Sequence, residues 1–176
     1  MTTTPSTGGP SEAVVQDFAD MSAVLTGFQS SFLRPFLDPT NLSFFFYNFA
    51  VAQPQVGQSM MDKLLSTFDS LKAQTPALTD QQIADRLLEI GQKPSNQAQL
   101  AQSIILMWYL GSWYPPAFQT DGLQQVISSQ AYTKSLVWNV AQSHPMGFSQ
   151  FTFGYWANQP PSLDQFGVNV PSGGGQ

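Results

Sequence analysis

The first stretch of the chain alternates apolar and polar positions with the period of an α-helix. The apolar members recur at intervals of four and three residues: Val14, Phe18, Met21, Leu25 and Phe28. This spacing predicts a helix with one buried face, which Ser11 can cap at its N-terminus. Because Pro35 and Pro39 cannot lie inside a helix, we expect this helix to end near Arg34.

Two more helices are predicted before residue 73. Asp38 opens a short, very aromatic helix, which Pro54 terminates. Its aromatic residues are Phe44, Phe45, Phe46, Tyr47 and Phe49. The next helix carries an apolar stripe at helical spacing, made of Met61, Leu64, Leu65, Phe68 and Leu71.

A capping signal opens the fourth predicted helix. Thr79 and Gln82 have the spacing of a capping box, in which each side chain bonds to the backbone of the other residue. The apolar positions that follow are Ile83, Leu87, Leu88 and Ile90. Gly91 then supplies a C-terminal stop.

The last long helix is predicted to begin at a cap formed by Ser95 or Asn96 and to end at Gly111. Its large apolar residues are Leu100, Ile104, Ile105, Trp108 and Tyr109. Near its end the helix is apolar on almost every side, which indicates burial between other elements. We therefore expect Trp108 to pack in the core.

Beyond Gly111 the helical period is lost. Segments 113–116, 144–147 and 153–156 predict turns and irregular loops, and a short helical turn is expected around Ser128–Tyr132. A long segment without regular structure is uncommon in a compact domain unless it has a function, and wrapping a partner is one such function.

These patterns predict an all-α fold: a small bundle of four to five helices with a long irregular aromatic C-terminal extension. A chain of 176 residues fits one domain and can bury a full core. Residues 1–10 are Thr, Ser, Gly and Pro after Met1 and predict a disordered N-terminus. Residues 11–166 are then the helical domain, and 167–176 a flexible tail.

The overall composition excludes several classes of function. The net charge is −5 and only six basic residues are present, all scattered, which argues against a nucleic-acid partner and against a polybasic membrane patch. The absence of cysteine excludes disulfides, thiolate catalysis and cysteine zinc sites. The longest apolar runs are too short to cross a bilayer, so direct membrane insertion is not expected.

The second half of the chain is unusually poor in charge. From residue 94 to 176 the only charged residues are Asp121, Lys134 and Asp164, and the same stretch holds all four tryptophans. Few charges and many aromatic residues are typical of the centre of a protein interface. The alternative is a large core under an uncharged, Gln-rich surface. We favour the interface, because a bare surface with so little charge is a solubility liability.

Candidate catalytic groups are scarce. His144 is the only histidine; it precedes Pro145 in a polar turn, and one histidine cannot build a multi-histidine metal site. The chain has no nucleophile elbow. Its one glycine cluster, in the tail, follows no predicted strand, so no dinucleotide fingerprint is present. The sequence predicts no catalytic, cofactor-binding or metal-binding residue.

A set of short motifs resembles a known family in composition and order. They are Ala23–Gly27 (AVLTG), Leu37–Pro39 (LDP), Ile104–Gly111 (IILMWYLG), Gln125–Tyr132 (QVISSQAY) and Phe153–Ala157 (FGYWA) followed by Pro160. Together they span most of residues 20–161. The chain is similar in these motifs to the small subunit of the bacterial membrane-bound FAD-dependent sorbitol dehydrogenase family.

The resemblance implies a helper and not a catalyst. In that family the small subunit binds a large flavoprotein of the glucose-methanol-choline type, which carries the FAD and the catalytic histidine, and helps it to mature. A multihaem cytochrome c subunit can join the complex. The resemblance therefore implies no cofactor in this chain and FAD in its partner.

Two features depart from the family pattern. The family's small subunit commonly carries a twin-arginine export signal, whereas the N-terminus here has neither a basic region nor an apolar one. The Tyr-x-x-Ala element is altered to Ser-Ser-Gln-Ala-Tyr, ending at Tyr132. The expected location is the periplasm if the chain is exported with its partner, and the cytoplasm if it has no leader.

The function predicted from the sequence is thus a non-catalytic accessory and maturation subunit of an FAD-dependent sugar, polyol or alcohol dehydrogenase. The alternative is a free-standing helical protein that binds an apolar ligand or a peptide. Large aromatic residues carry much of the energy of interfaces. The candidate partner-binding residues lie in the irregular segment: Trp113, Tyr114, Phe118, Phe151, Tyr155 and Trp156.

Overall fold

A computed structural model describes residues 9–37 and 40–147, and in this part the chain is mostly helical. The helices are α1 (Glu12–Thr26), α2 (Ser30–Leu33), α3 (Leu42–Val51), α4 (Gly57–Lys72), α5 (Asp80–Leu87), α6 (Asn96–Leu110), α7 (Ser129–Thr133) and α8 (Leu136–Val140). Two short strands, β1 (Ser112–Trp113) and β2 (Gln125–Val126), precede α7. The predicted disorder of residues 1–8, and the predicted extension and tail from residue 148 onward, lie outside the described residues.

The predicted N-terminal caps are confirmed. The Ser11 hydroxyl accepts a hydrogen bond from the Val14 N–H at 3.4 Å, and Thr79 and Gln82 form both bonds of the capping box. At the start of α6, the Ser95 hydroxyl accepts from the Ala98 N–H. Each cap satisfies a backbone donor that has no partner within its own helix, which is why the helices begin at these residues.

The first helix is shorter than predicted. It ends at Thr26 and not near Arg34, because Gly27 adopts a left-handed conformation with φ of 78° and its N–H bonds to the Ala23 carbonyl. A separate short helix, α2, then leads to Arg34. Phe28 still reaches the core and is fully buried, so the apolar stripe of the sequence continues across the break.

The fourth predicted helix is also shorter than expected. Helix α5 ends at Leu87, and Glu89 has a left-handed backbone with φ of 51°. This turn brings the Glu89 carboxylate to the next helix, where it accepts from the Ser95 N–H at 2.6 Å. Ile90, expected on the apolar face of the helix, is instead 63% exposed.

Helix α6 forms the centre of the core and packs against α1, α4, α5, α7 and α8. Trp108 is 2% exposed and meets Phe46 edge to face, with ring centroids 4.8 Å apart, so its predicted core position is confirmed. The Tyr109 hydroxyl donates to the Thr26 carbonyl at 2.9 Å and ties α6 to the end of α1.

The strand pair is a difference from the all-α prediction. β1 and β2 run antiparallel, with Ser112 opposite Val126 and Trp113 opposite Gln125. The expected turn near Ser128–Tyr132 is confirmed as α7, which the Ser128 hydroxyl caps by accepting from the Ala131 N–H.

Candidate partner-binding surface

Gly111 redirects the chain out of α6. It has a left-handed φ of 62°, and a Cβ at this position would stand 2.5 Å from the carbonyl oxygen of Ala131. Only glycine accommodates both the conformation and the approach of the α7 backbone. The chain can therefore turn sharply into β1 while remaining against the bundle.

Trp113, a predicted partner-binding residue, lies in the core. It is fully buried, its ring meets Phe49 of α3 at a centroid distance of 6.0 Å, and its indole N–H donates to the Gln119 side chain at 3.3 Å. Gln119 is itself buried. Trp113 therefore supports the following loop from beneath and presents no surface in the lone chain.

The β1–β2 loop, residues 114–124, is held by bonds within itself. The Gln119 N–H donates to the Pro116 carbonyl at 2.8 Å, and the Gly122 N–H donates to the Gln119 carbonyl at 3.2 Å. The Gln124 amide donates to the Tyr114 hydroxyl at 3.0 Å across the base of the loop. These bonds order the loop before any partner arrives, which lowers the entropy that binding costs.

The loop presents apolar side chains to solvent. Leu123 is 80% exposed and Val126, in β2, is 67% exposed. Tyr114 and Pro115 line a shallow depression of about 280 Å³ that also includes Leu106 of α6. We call Leu106, Tyr114, Pro115, Leu123 and Val126 the loop surface.

Charge is sparse along the part of the chain that forms this surface: Asp121 is the only charged residue between residues 94 and 133. Apart from Asp121 and Lys134, every charged residue in the described part lies in segments 12–34 and 62–93. Among the same residues, every exposed large hydrophobic side chain except Ile90 lies outside those two segments. Exposed apolar groups therefore concentrate where charge is scarcest, which is typical of a protein-binding surface.

The structure places three predicted partner-binding residues in one segment but gives them different environments. Trp113 is buried, Tyr114 is half-buried on the loop surface, and Phe118 is partly buried against the core. The other three, Phe151, Tyr155 and Trp156, lie outside the described residues. A partner-binding role for Tyr114 and Phe118 stays a prediction.

Sequence reasoning missed the aliphatic members of the loop surface. Leu106 occupies the outer side of α6, where it is 38% exposed, although the helix is apolar around much of its circumference. Leu123 follows Gly122, and a Cβ on Gly122 would stand 2.5 Å from the Pro115 Cβ. A large apolar residue beside a glycine in a turn was the available signal.

The pKa values of three ionisable groups are shifted by their surroundings. Burial raises the pKa of Tyr109 and, partly offset by a hydrogen bond from Gln58, that of Tyr47. Hydrogen bonds from Ser95 lower the pKa of Glu89. The His144 ring Nδ1 lies 3.0 Å from the Pro145 carbonyl oxygen.

Residues 9–37 and 40–147 contain no cluster of three or more histidines and carboxylates with the geometry of a metal site. In the same residues no helix combines the length and the apolar character needed to span a bilayer.

Comparison of the chain with protein-family models, with curated proteins and with solved structures finds no match.

Proposed function

We propose that this chain is a non-catalytic accessory subunit that binds, through the loop surface, the large flavoprotein subunit of an FAD-dependent sugar, polyol or alcohol dehydrogenase. FAD and the catalytic residues belong to the partner, and this chain stabilises the partner during its maturation. A multihaem cytochrome c subunit is a further proposed member of the complex.

The observation that carries the binding role is the combination of exposure and order in the β1–β2 loop. Leu123 is 80% exposed, yet the hydrogen bond between Gln124 and Tyr114 closes the loop beneath it. An exposed apolar residue on a preordered support can be buried by a partner with little loss of chain entropy.

The identity of the partner is supported by the family resemblance. Of its motifs, Ile104–Gly111 covers the end of α6 and Gln125–Tyr132 covers β2 and most of α7. These two motifs flank the β1–β2 loop on both sides. The resemblance therefore concerns the elements that hold the loop surface in place.

A pair of charge-introducing variants tests the proposed surface. Leu123→Asp places a carboxylate on the loop surface, and Ile90→Asp makes the same change at a residue that is 63% exposed in the charged segment 62–93. Both variants should fold, because neither position is buried. Leu123→Asp should weaken the complex with a co-expressed large flavoprotein by about tenfold or more, since burying an unpaired charge is costly.

The measurement is the yield of complex recovered through an affinity tag on the large subunit, followed by titration of the purified components. Equal affinity of the two variants for the large subunit would show that the interface does not include the loop surface. Failure of the wild-type chain to bind any large flavoprotein of this type would contradict the proposed partner.

The properties of the isolated chain provide a second test. We expect it to be colourless and inactive toward polyols and sugars, and to self-associate in light scattering until the large subunit is present. Stoichiometric FAD in the isolated chain would contradict the helper role. A monomer at high concentration would favour the free-standing binding protein.

A further inference from the structure

The outer edge of β2 carries backbone groups that β1 does not use. In the pair of β1 with β2, Val126 lies opposite Ser112, and the Ile127 N–H donates to the Gly111 carbonyl at 3.2 Å. Hydrogen-bonded and non-hydrogen-bonded pairs alternate along an antiparallel ladder, so Gly111 and Ile127 form a bonded pair whereas Ser112 and Val126 do not. The N–H and the C=O of Val126 therefore point away from β1.

This edge is open to solvent. Within residues 9–37 and 40–147, no group bonds to the N–H or the C=O of Val126. The residue is 67% exposed, and Gln124 and Gln125 before it are exposed as well. Ser128, two residues further on, has an extended backbone with φ of −166° and ψ of 164°. The extended backbone thus continues past β2 to the start of α7.

The usual protections of an exposed strand edge are missing from this segment. Native proteins guard such edges with charged side chains, with proline or with a bulge. Residues 123–128 (LQQVIS) contain neither a charged residue nor a proline, and the two residue pairs of β1 and β2 follow one another without a bulge. An edge with none of these features is suited to pairing with another extended strand.

The symmetry and the charge of this edge favour a second copy of the chain as its occupant. Val126 presents one donor and one acceptor on the same side, so Val126 of an antiparallel copy can satisfy both groups. Two-fold symmetric interfaces use the same patch on both subunits, as this pairing would. The chain has a net charge of −5, yet Asp121 is the only charged residue between residues 94 and 133. Two copies therefore meet with least repulsion at this part of the surface.

We propose that two copies of this chain associate through the outer edges of β2, with Val126 opposite Val126 of the second copy. The two residues exchange both N–H···O=C bonds, and their exposed side chains pack across the strand pair. The paired segment is short, so the area buried is small and the dimer is weak. The proposal concerns this chain alone, and its failure would leave the proposed flavoprotein partner untouched.

Sedimentation equilibrium of the full chain over a range of concentrations tests the backbone pairing. The wild type should shift from monomer to dimer as its concentration rises. Val126→Pro removes the outward N–H, which an edge strand tolerates, and symmetry then removes two hydrogen bonds from each dimer. The dimer should dissociate about tenfold more readily. Val126→Thr, which keeps the N–H and the β-branched shape, should change the dissociation constant by less than about threefold.

A charge swap at Val126 tests the register and needs no proline in the strand. Val126→Lys and Val126→Glu each place like charges opposite one another in the dimer, which destabilises a strand pair, so each variant alone should associate more weakly than the wild type. A mixture of the two should associate more strongly than either, because opposite charges then meet. Ile90→Lys and Ile90→Glu, which change the net charge equally at a residue that is 63% exposed, should show no such gain on mixing.

Four results would overturn the proposal. They are a wild type that stays monomeric at about 1 mM, equal effects of Val126→Pro and Val126→Thr when both variants fold, a mixture of the two charged Val126 variants that associates no better than its components, and protection of the Val126 amide from hydrogen exchange that does not change with concentration. The last result would show that the edge is covered within a single chain. Should Val126→Pro fail to fold, the charge swap still decides the proposal.

Discussion

Replacement of Gly111 by alanine tests whether the exit from α6 depends on close contact with α7. Gly111 and Gly27 are both left-handed residues that end long helices, with φ of 62° and 78°. They differ in their surroundings. A Cβ on Gly111 would stand 2.5 Å from the Ala131 carbonyl oxygen and 2.7 Å from the Tyr132 nitrogen, whereas a Cβ on Gly27 would meet nothing within 4 Å.

The two substitutions should therefore cost different amounts of folding free energy. Gly27→Ala introduces only the strain of an L-residue in the left-handed region, about 1 kcal/mol. Gly111→Ala adds to that strain an overlap with backbone atoms, which cannot rotate away as a side chain can. Overpacking of this kind costs roughly 1–3 kcal/mol, so the total loss for Gly111→Ala should be about 2–4 kcal/mol.

Urea unfolding followed by far-ultraviolet circular dichroism measures both losses, provided that the slope of free energy against urea is unchanged. At this chain length each kcal/mol should also lower the melting temperature by about 2–4 °C. Equal losses for Gly27→Ala and Gly111→Ala would refute the reasoning, because they would show that α7 does not constrain the end of α6.

Three further predictions concern the core and the cap of α6. Ser22→Ala should leave the free energy of unfolding unchanged or raise it, because the buried Ser22 hydroxyl has no hydrogen-bond partner. Ser43→Ala should lower the free energy of unfolding by about 1 kcal/mol, because the buried Ser43 hydroxyl donates to the Leu33 carbonyl at 3.0 Å. Urea unfolding of the two variants measures this contrast, and a loss for Ser22→Ala as large as for Ser43→Ala would contradict it. Hydrogen bonds from the hydroxyl and the N–H of Ser95 lower the pKa of Glu89, so its carboxylate stabilises the fold above its unfolded-state pKa and loses this effect as the pH falls through the lowered folded-state pKa. The melting temperature of the wild type should thus fall more steeply in acid than that of Glu89→Gln, and parallel curves would exclude this role. Trp113→Ala should lower the free energy of unfolding by about 3–5 kcal/mol, since Trp113 is fully buried; near-wild-type stability with loss of the complex would instead mark it as an interface residue.

Local sequence patterns were sufficient for most helix positions and for some of the core. The spacing of Phe18 and its apolar neighbours, and the caps at Ser11, Thr79 and Ser95, depend on residues within about one helical turn of each other. Such relations survive in the sequence because they do not depend on how the helices pack. The core position of Trp108 could be predicted for the same reason. It lies near the end of a helix that is apolar on nearly all sides, and most residues of such a helix are expected to be buried.

The ends of the helices in the middle of the chain were harder to predict from the sequence. Gly27 and Glu89 both adopt left-handed conformations, and beyond the end of α5 the Glu89 carboxylate accepts a hydrogen bond from the Ser95 N–H. Glu89 and Ser95 both lie in the connection between α5 and α6, and helical periodicity carries no information about their contact.

The loop surface depends on the tertiary structure and could not be predicted from local sequence patterns. Trp113 and Tyr114 are adjacent aromatic residues, and the sequence predicts the same partner-binding role for both. In the structure Trp113 is buried against Phe49, more than sixty positions earlier in the chain, whereas Tyr114 is half-exposed. Burial depends on which distant residues come together, and that is a property of the packed chain rather than of any local pattern.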